Sequence, residues 1–211
     1  MKFNKSRLIF GGLVLGCLVL GFSWWVNSLR QELHFIENAT LLKVADLATL
    51  ETEQTVLMTG IISSDNPPLY QDLVVGVQEQ YYSGEDGGWE VEQDPEARIN
   101  VEIEADQKVS LFIENPYPKG SYQTFDFGNT RWRGYTAGSL ITSFAMVNQR
   151  EPLLFEAIKH YGGTQTQYVQ NLKSSLSAAR FVAAMLMGIC GVVMFWPERK
   201  RHKKTELEPK S

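Results

Sequence analysis

The stretch INVEIEADQKVSLFIE (99–114) decides the fold. Within it Val101-Glu102-Ile103-Glu104 alternates apolar and charged residues, the two-residue period of a strand with one dry face and one wet face. Working outward, TVLMTGIIS (55–63), LVVGVQEQYY (73–82), GWEVEQ (88–93), INVEIEA (99–105), KVSLFIE (108–114) and YQTFDF (122–127) read as strands. GSLITSFAMVN (138–148) and PLLFEAI (152–158) complete the series. Turn residues separate them at Asp65-Asn66-Pro67-Pro68, Gly84-Glu85-Asp86-Gly87-Gly88, Asn115-Pro116-Tyr117-Pro118-Lys119-Gly120 and Gly128-Asn129. Short strands at near-even spacing predict a mainly β domain, a small barrel or sandwich of about 7–8 strands, rather than βαβ units.

The segments around this domain are helical in pattern. Leu41, Leu42, Val44, Ala45, Leu47, Ala48 and Leu50 suggest a short amphipathic helix, with Asn38 or Thr40 as its cap. From Gln165 onward the chain again reads as helix (QYVQNLKSSLSAAR, 167–180) and leads into an apolar run. No internal repeat is visible.

Two apolar runs flank the domain: LIFGGLVLGCLVLGFSWWV (8–26) and FVAAMLMGICGVVMFW (181–196). A hydrocarbon core about 30 Å thick takes about 20 apolar residues of helix, because only a helix satisfies its own backbone there. Both runs are therefore expected to be transmembrane helices, with Trp24, Trp25 and Trp196 at the interfaces. A cleaved signal peptide or a lipobox ending at Cys17 are the alternatives for the first run. Its apolar sequence continues to Val26 without a small-x-small cleavage site, which favours an uncleaved anchor.

Basic residues set the expected orientation. Lys2, Lys5 and Arg7 precede the first run, and Arg199, Lys200, Arg201, Lys203, Lys204 and Lys210 follow the second. Residues 31–172 carry 8 Lys/Arg against 21 Asp/Glu, a net charge of −13. Retention of Lys and Arg in the cytoplasm places both termini there and the β domain on the far side. In a bacterium that means an inner-membrane protein with a periplasmic domain; a thylakoid membrane is the other setting considered. So acidic a domain argues against nucleic-acid binding. Both cysteines, Cys17 and Cys190, lie inside the apolar runs, so no disulfide, thiol nucleophile or cysteine metal ligand is expected in the domain.

This order of features resembles ubiquitin ligases of the GIDE type, whose "beside a membrane" domain lies between two transmembrane helices. The matching stretches are LMTGIISSDNPPL (57–69), QDLVVGVQEQYY (71–82), GWEVEQ (88–93), RWRGYTAGSLITSFAMV (131–147) and HYGGTQTQYVQNLKSS (160–175). The resemblance implies a β-barrel interaction module over roughly residues 40–175. Those ligases end in a RING, which needs Cys and His in closed zinc sites. The 15 residues after Trp196 hold no Cys and one His, His202, so ligase activity is not carried over. The chain is similar in this respect to short bacterial, particularly cyanobacterial, membrane proteins.

Of His34, His160 and His202, only His160 could serve a domain site, and a histidine at a strand end without a nucleophile reads as structural. No Gly-x-Ser-x-Gly elbow, P-loop or Gly-x-Gly-x-x-Gly occurs. The acids Glu85, Asp86, Glu90, Glu92, Asp94 and Glu96 lack EF-hand spacing and read as a solvated hairpin tip rather than a Ca²⁺ loop. Carboxylates are numerous, but nothing marks a glycosidase pair.

Arg131, Trp132, Arg133 and Tyr135 form the candidate partner-binding cluster, since aromatics with Arg are typical of hot spots. The alternative makes Trp132 and Tyr135 core anchors around Gly134, with the arginines paired to surface acids. Asn66-Pro67-Pro68-Leu69-Tyr70 is read either as a presented loop or as a stiff connection. Gly12-x-x-x-Gly16 and Ala184-x-x-x-Gly188 offer helix-packing faces, within one chain or between copies.

The expected organisation is a cytoplasmic N-terminus (1–7), a first span (8–26), a juxtamembrane linker or helix (27–50) and an extracytoplasmic β domain (51–164). A helical linker (165–180), a second span (181–196) and a basic cytoplasmic tail (197–211) follow. The expected function is non-enzymatic: an acidic β domain held at the bilayer to bind a membrane-protein partner or to assist membrane-protein assembly. No catalytic residue, cofactor or metal is expected. The rivals are an envelope hydrolase using Asp/Glu and a RING-less relative of the GIDE-type ligases.

Overall fold

A computed structural model describes residues 5–83, 87–93, 95–104, 107–150 and 152–195. The chain divides into two compact units, residues 31–174 and the pair of segments 1–30 and 175–211.

The larger unit is mainly β, with nine strands among the described residues. Five of them close a barrel in the order β1 (Thr55–Ile62), β4 (Ala97–Glu102), β5 (Lys108–Ile113), β9 (Leu153–Gly162), β8 (Leu140–Arg150) and back to β1. All pairings are antiparallel except β5 with β9, which run parallel. A five-stranded Greek-key barrel of this kind has the architecture of the OB fold. Alternation makes these strands: Ile99 and Val101 on β4, and Val109, Leu111 and Ile113 on β5, point inward and are almost fully buried. They meet Met58, Ile62, Ile141, Val147 and Phe155 in one hydrophobic core.

Two hairpins leave the barrel and pair with each other. The first, β2 (Leu73–Tyr82) with β3 (Gly88–Gln93), lies between β1 and β4. The second, β6 (Gln123–Phe127) with β7 (Thr130–Thr136), lies between β5 and β8. Joined along β2 and β7, they form a four-stranded sheet of order β3-β2-β7-β6. At the joint Gly76 lies opposite Gly134. A Cβ on Gly134 would sit 2.0 Å from the Val75 carbonyl oxygen, so only glycine permits this approach.

Two sequence expectations change here. The strand expected over 138–148 is β8, but the residues before it, which the pattern assigns to no strand, form β7; a turn at Gly138 (φ +78°), where the Thr136 and Ser139 hydroxyls bond at 2.9 Å, separates the two. The added strand takes the strand number to nine. The amphipathic helix expected over 41–50 is a short 3-10 helix, η1 (Val44–Thr49), with no buried residue of its own. Its flanks Leu42 and Leu50 are buried in the core, and Leu47, half-buried, packs against it. Neither Asn38 nor Thr40 caps it; the Asp46 carboxylate accepts from the Lys43 N–H at 3.1 Å.

The helix α1 (Lys5–Asn38) continues well past residue 26, so the first half of the expected linker is helical. Within the larger unit, its end is tied to β8, β9 and the start of α2 (Gln165–Phe195). The Glu32 carboxylate accepts from Lys159 Nζ and the Tyr168 hydroxyl, Phe35 packs on Phe144 at 4.3 Å, and Tyr168 stacks on Tyr161 at 4.8 Å. Gln165 Nε2 donates to the carbonyls of Ile36 (2.7 Å) and Ala39 (3.2 Å), satisfying groups that a helix end leaves open.

Among the described residues, one stretch of helix is long and apolar enough to cross a membrane, Gln165–Ile189. The side chains of 8–15, 17 and 18 in the first apolar run, Gly12 among them, lie outside the described residues, as do Trp196, His202 and the basic tail. Gly16 and Gly188 border open space among the described residues: a Cβ on either would meet no atom within 4 Å. Ala184 is exposed.

Candidate functional site

The four-stranded sheet places the predicted cluster, and it divides it. On a strand, Arg131, Arg133 and Tyr135 share one face and Trp132 takes the other. Cross-strand pairing fixes the company each keeps: Glu79 lies opposite Arg131, Val77 opposite Arg133, Val75 opposite Tyr135, and Gln78 opposite Trp132.

The inner face packs on the barrel and on the connection 114–122. Glu79 is only 2 % exposed, and its carboxylate accepts from Arg131 Nε, from Arg133 Nη1 at 3.2 Å and from the Tyr117 hydroxyl at 3.1 Å. Arg133 also donates to the hydroxyls of Tyr117 (2.9 Å) and Tyr122, and Arg131 lies over the Trp89 ring at 4.1 Å. Burial opposes the charge on Glu79, but the Arg131 hydrogen bond, the Arg133 charge and the Tyr117 hydroxyl outweigh it and hold the carboxyl below its ordinary range. The arginines thus pair with a buried acid, not with surface ones. A carboxylate so held is a counter-ion, not a proton donor.

Tyr135 is fully buried beneath this network. Its hydroxyl accepts from the Lys119 N–H at 2.8 Å, and its single proton has two acceptors in reach, the Lys119 carbonyl at 2.9 Å and His160 Nδ1 at 3.1 Å. His160 Nε2 is 2.9 Å from the Asn115 carbonyl, which can only accept, so Nε2 carries the proton. His160 sits within β9, 7 % exposed, and burial lowers its pKa, with the Asn115 bond opposing and the Lys119 charge adding to the effect. Histidine and tyrosine together tie the 115–119 segment to the barrel.

The outer face of the sheet is the open one. Trp132, half-buried here rather than anchored in the core, stacks on Tyr70 with ring centroids 5.0 Å apart and planes 8° from parallel. Phe125 and Phe127 meet Tyr70 edge-on at 6.4 and 6.0 Å. Tyr70 closes the Asn66-Pro67-Pro68-Leu69-Tyr70 loop, whose Asn66 is buried and bonded to the Ser63 and Asn100 carbonyls. The loop therefore serves as a stiff connection at Asn66 and delivers an aromatic ring at Tyr70. Beyond the rings on β7 and β6 the face turns polar: Gln78 donates to the Glu92 carboxylate at 2.7 Å, Thr130 donates to Gln80 at 2.7 Å, and Glu90 and Glu92 are exposed. A cleft of about 710 Å³ adjoins the aromatic end, lined by Phe125, Gln123, Asp72 and Asn66 among others.

Sequence reasoning named Arg131, Trp132, Arg133 and Tyr135, and Tyr70 within its loop, but missed Glu79, Tyr117, Tyr122, Phe125 and Phe127. One signal was present. In LVVGVQEQYY, Glu79 falls in phase with Val75 and Val77, and an acid in the inward phase demands a buried cation. Of the acidic hairpin residues, Glu85, Asp86 and Asp94 lie outside the described residues. Among the described residues no three His, Cys, Asp or Glu are grouped to hold a metal ion. No protein-family model matches the chain, and no curated protein matches it in sequence.

Proposed function

We propose that this chain is a non-catalytic binding module tethered to a membrane, which uses the outer face of its four-stranded sheet to hold a protein partner. The observation that carries the reading is that open face, where Tyr70, Phe125, Phe127 and Trp132 gather on one side of a sheet whose other side is already packed. Phe127 is exposed and the other three rings are half-buried around it, and aromatics clustered on one face are the usual anchors of protein recognition. The buried titratable groups are consumed by internal bonds: Glu79 by two arginines, and His160 by Tyr135 and Asn115.

The tether is the coarser part of the proposal and rests on Gln165–Ile189, with the apolar run 8–26 as a second span. Basic flanks at both ends then put the domain outside the cytoplasm, and the GIDE-type resemblance points to the same kind of membrane-flanked module. An OB-type barrel by itself assigns no ligand. Tethering at both ends raises the effective concentration of the sheet toward neighbouring membrane proteins.

A photo-reactive amino acid at position 127 tests this in intact membranes. Discrete protein adducts are expected there and not at Ile158, an exposed barrel position. Identical adducts at both positions, or none at 127, refute the reading.

A further inference from the structure

Face and charge together narrow the partner. Read across the outer face from β6 to β3, one row runs Phe127, Thr130, Gln80, Glu90; the other runs Phe125, Trp132, Gln78, which is in register with Gln93 across a bulge and donates to the neighbouring Glu92 carboxylate. Aromatic rings occupy one side, amides the middle and carboxylates the far side. The rings are coupled to one another through Tyr70, and Phe127 still exposes 55 % of its surface. Gln78 and Gln80 are engaged with Glu92 and Thr130, so the middle of the face asks for little further hydrogen bonding.

Three strand spacings separate the two sides, about 14 Å. An α-helix is about 10–12 Å across with its side chains, and an amphipathic one carries a single apolar stripe beside its charged flank. We infer that this face receives a cationic amphipathic helix of a partner protein, its apolar stripe on Phe125, Phe127 and Trp132 and its Lys or Arg flank against Glu90 and Glu92. The net charge of −13 over residues 31–172 attracts such a segment at long range. The same charge disfavours the other occupants. An anionic lipid surface would meet Glu90 and Glu92 head-on, and a second copy would bring a like-charged domain against its own kind.

The inference rests on the binding-module reading and is tested separately from it, on the full chain in non-ionic detergent. The probes are a Leu/Lys peptide with one apolar stripe, a scrambled peptide of the same composition, and a Leu/Glu peptide with the same stripe. Carbodiimide joins a peptide lysine to a contacting carboxylate, and mass spectrometry locates the join. Coupling of the striped Leu/Lys peptide is expected at Glu90 and Glu92. Scrambling the peptide, or introducing Phe127→Ser, should lower it at least tenfold, and the Leu/Glu peptide should fail to protect those acids from a small amine. Coupling spread over Glu51, Glu53 and Glu114, or untouched by Phe127→Ser, overturns the inference. So do lipid adducts or self-adducts from a photo-reactive group at position 127. Adducts there to a protein whose contacting segment is neither helical nor basic leave the binding-module reading standing and overturn only this one.

Discussion

Glu79 and Arg131 face each other across the β2–β7 ladder, and this pair joins the two hairpins that leave the barrel. The carboxylate is sealed from solvent while the guanidinium keeps a side-chain exposure of 22 % and lies on Trp89. Removing one partner of a buried ion pair strands the other charge, which costs more than the pair contributes by forming. Glu79→Gln should therefore destabilise the domain by about 3–5 kcal/mol, leaving Arg131 and Arg133 without their counter-ion. Thermal unfolding of the full chain in detergent reads the loss. A change within experimental error would mean that the pair is solvated.

Gly134 and Gly138 make a matched test of the sheet joint. At Gly134 the obstacle is backbone contact, so Gly134→Ala should cost about 1–3 kcal/mol and open the β2–β7 ladder to hydrogen exchange. Gly138 has φ +78° but open space around it, so Gly138→Ala should cost about 1 kcal/mol and leave that ladder protected. Equal exchange in the two variants would contradict the close approach.

Stability should fall on acidification in two windows. His160 is buried neutral with a lowered pKa, so the unfolded chain takes up its proton first. Its contribution is complete above the ordinary value of 6.5 and is lost as pH falls from there through the folded-state pKa. Glu79, also lowered, contributes fully above 4.5 and loses its share as pH falls through its own folded-state value. A melting-temperature profile checks the order of the two. His160→Gln should flatten the upper window and leave the lower one in place.

Glu32 holds Lys159 and Tyr168 at once, where α1 meets β9 and α2. Glu32→Ala should raise hydrogen exchange over 31–38 while β4, across the barrel from the β8–β9 pair, and its partner β5 stay protected. A uniform rise across all three would mean that this cluster supports the whole domain instead of one attachment.

Strands were legible wherever a two-residue period was strong. LVVGVQEQYY and GWEVEQ carry β2 and β3 over the same residues that the pattern marked. The segment TRWRGYT was not, because Arg131 and Arg133 occupy inward positions that the pattern reserves for apolar residues. The distant Glu79, with Tyr117, Tyr122 and Trp89, makes them acceptable there, and such pairings have no local signal. For the same reason, Arg131-Trp132-Arg133 looked like a single cluster: adjacency in sequence hides the fact that alternate residues on a strand point apart. The barrel's closure through the parallel β5–β9 pair depends on contacts about forty residues apart, which periodicity does not encode.

Gln165 touching the carbonyls of Ile36 and Ala39 brings the entrance and the exit of residues 31–174 to one place. A body with adjoining ends is portable: it can be spliced into another chain or removed from one by remaking a single seam. Gln165, Ile36 and Ala39 all belong to that body, so the closure travels with it wherever it is carried.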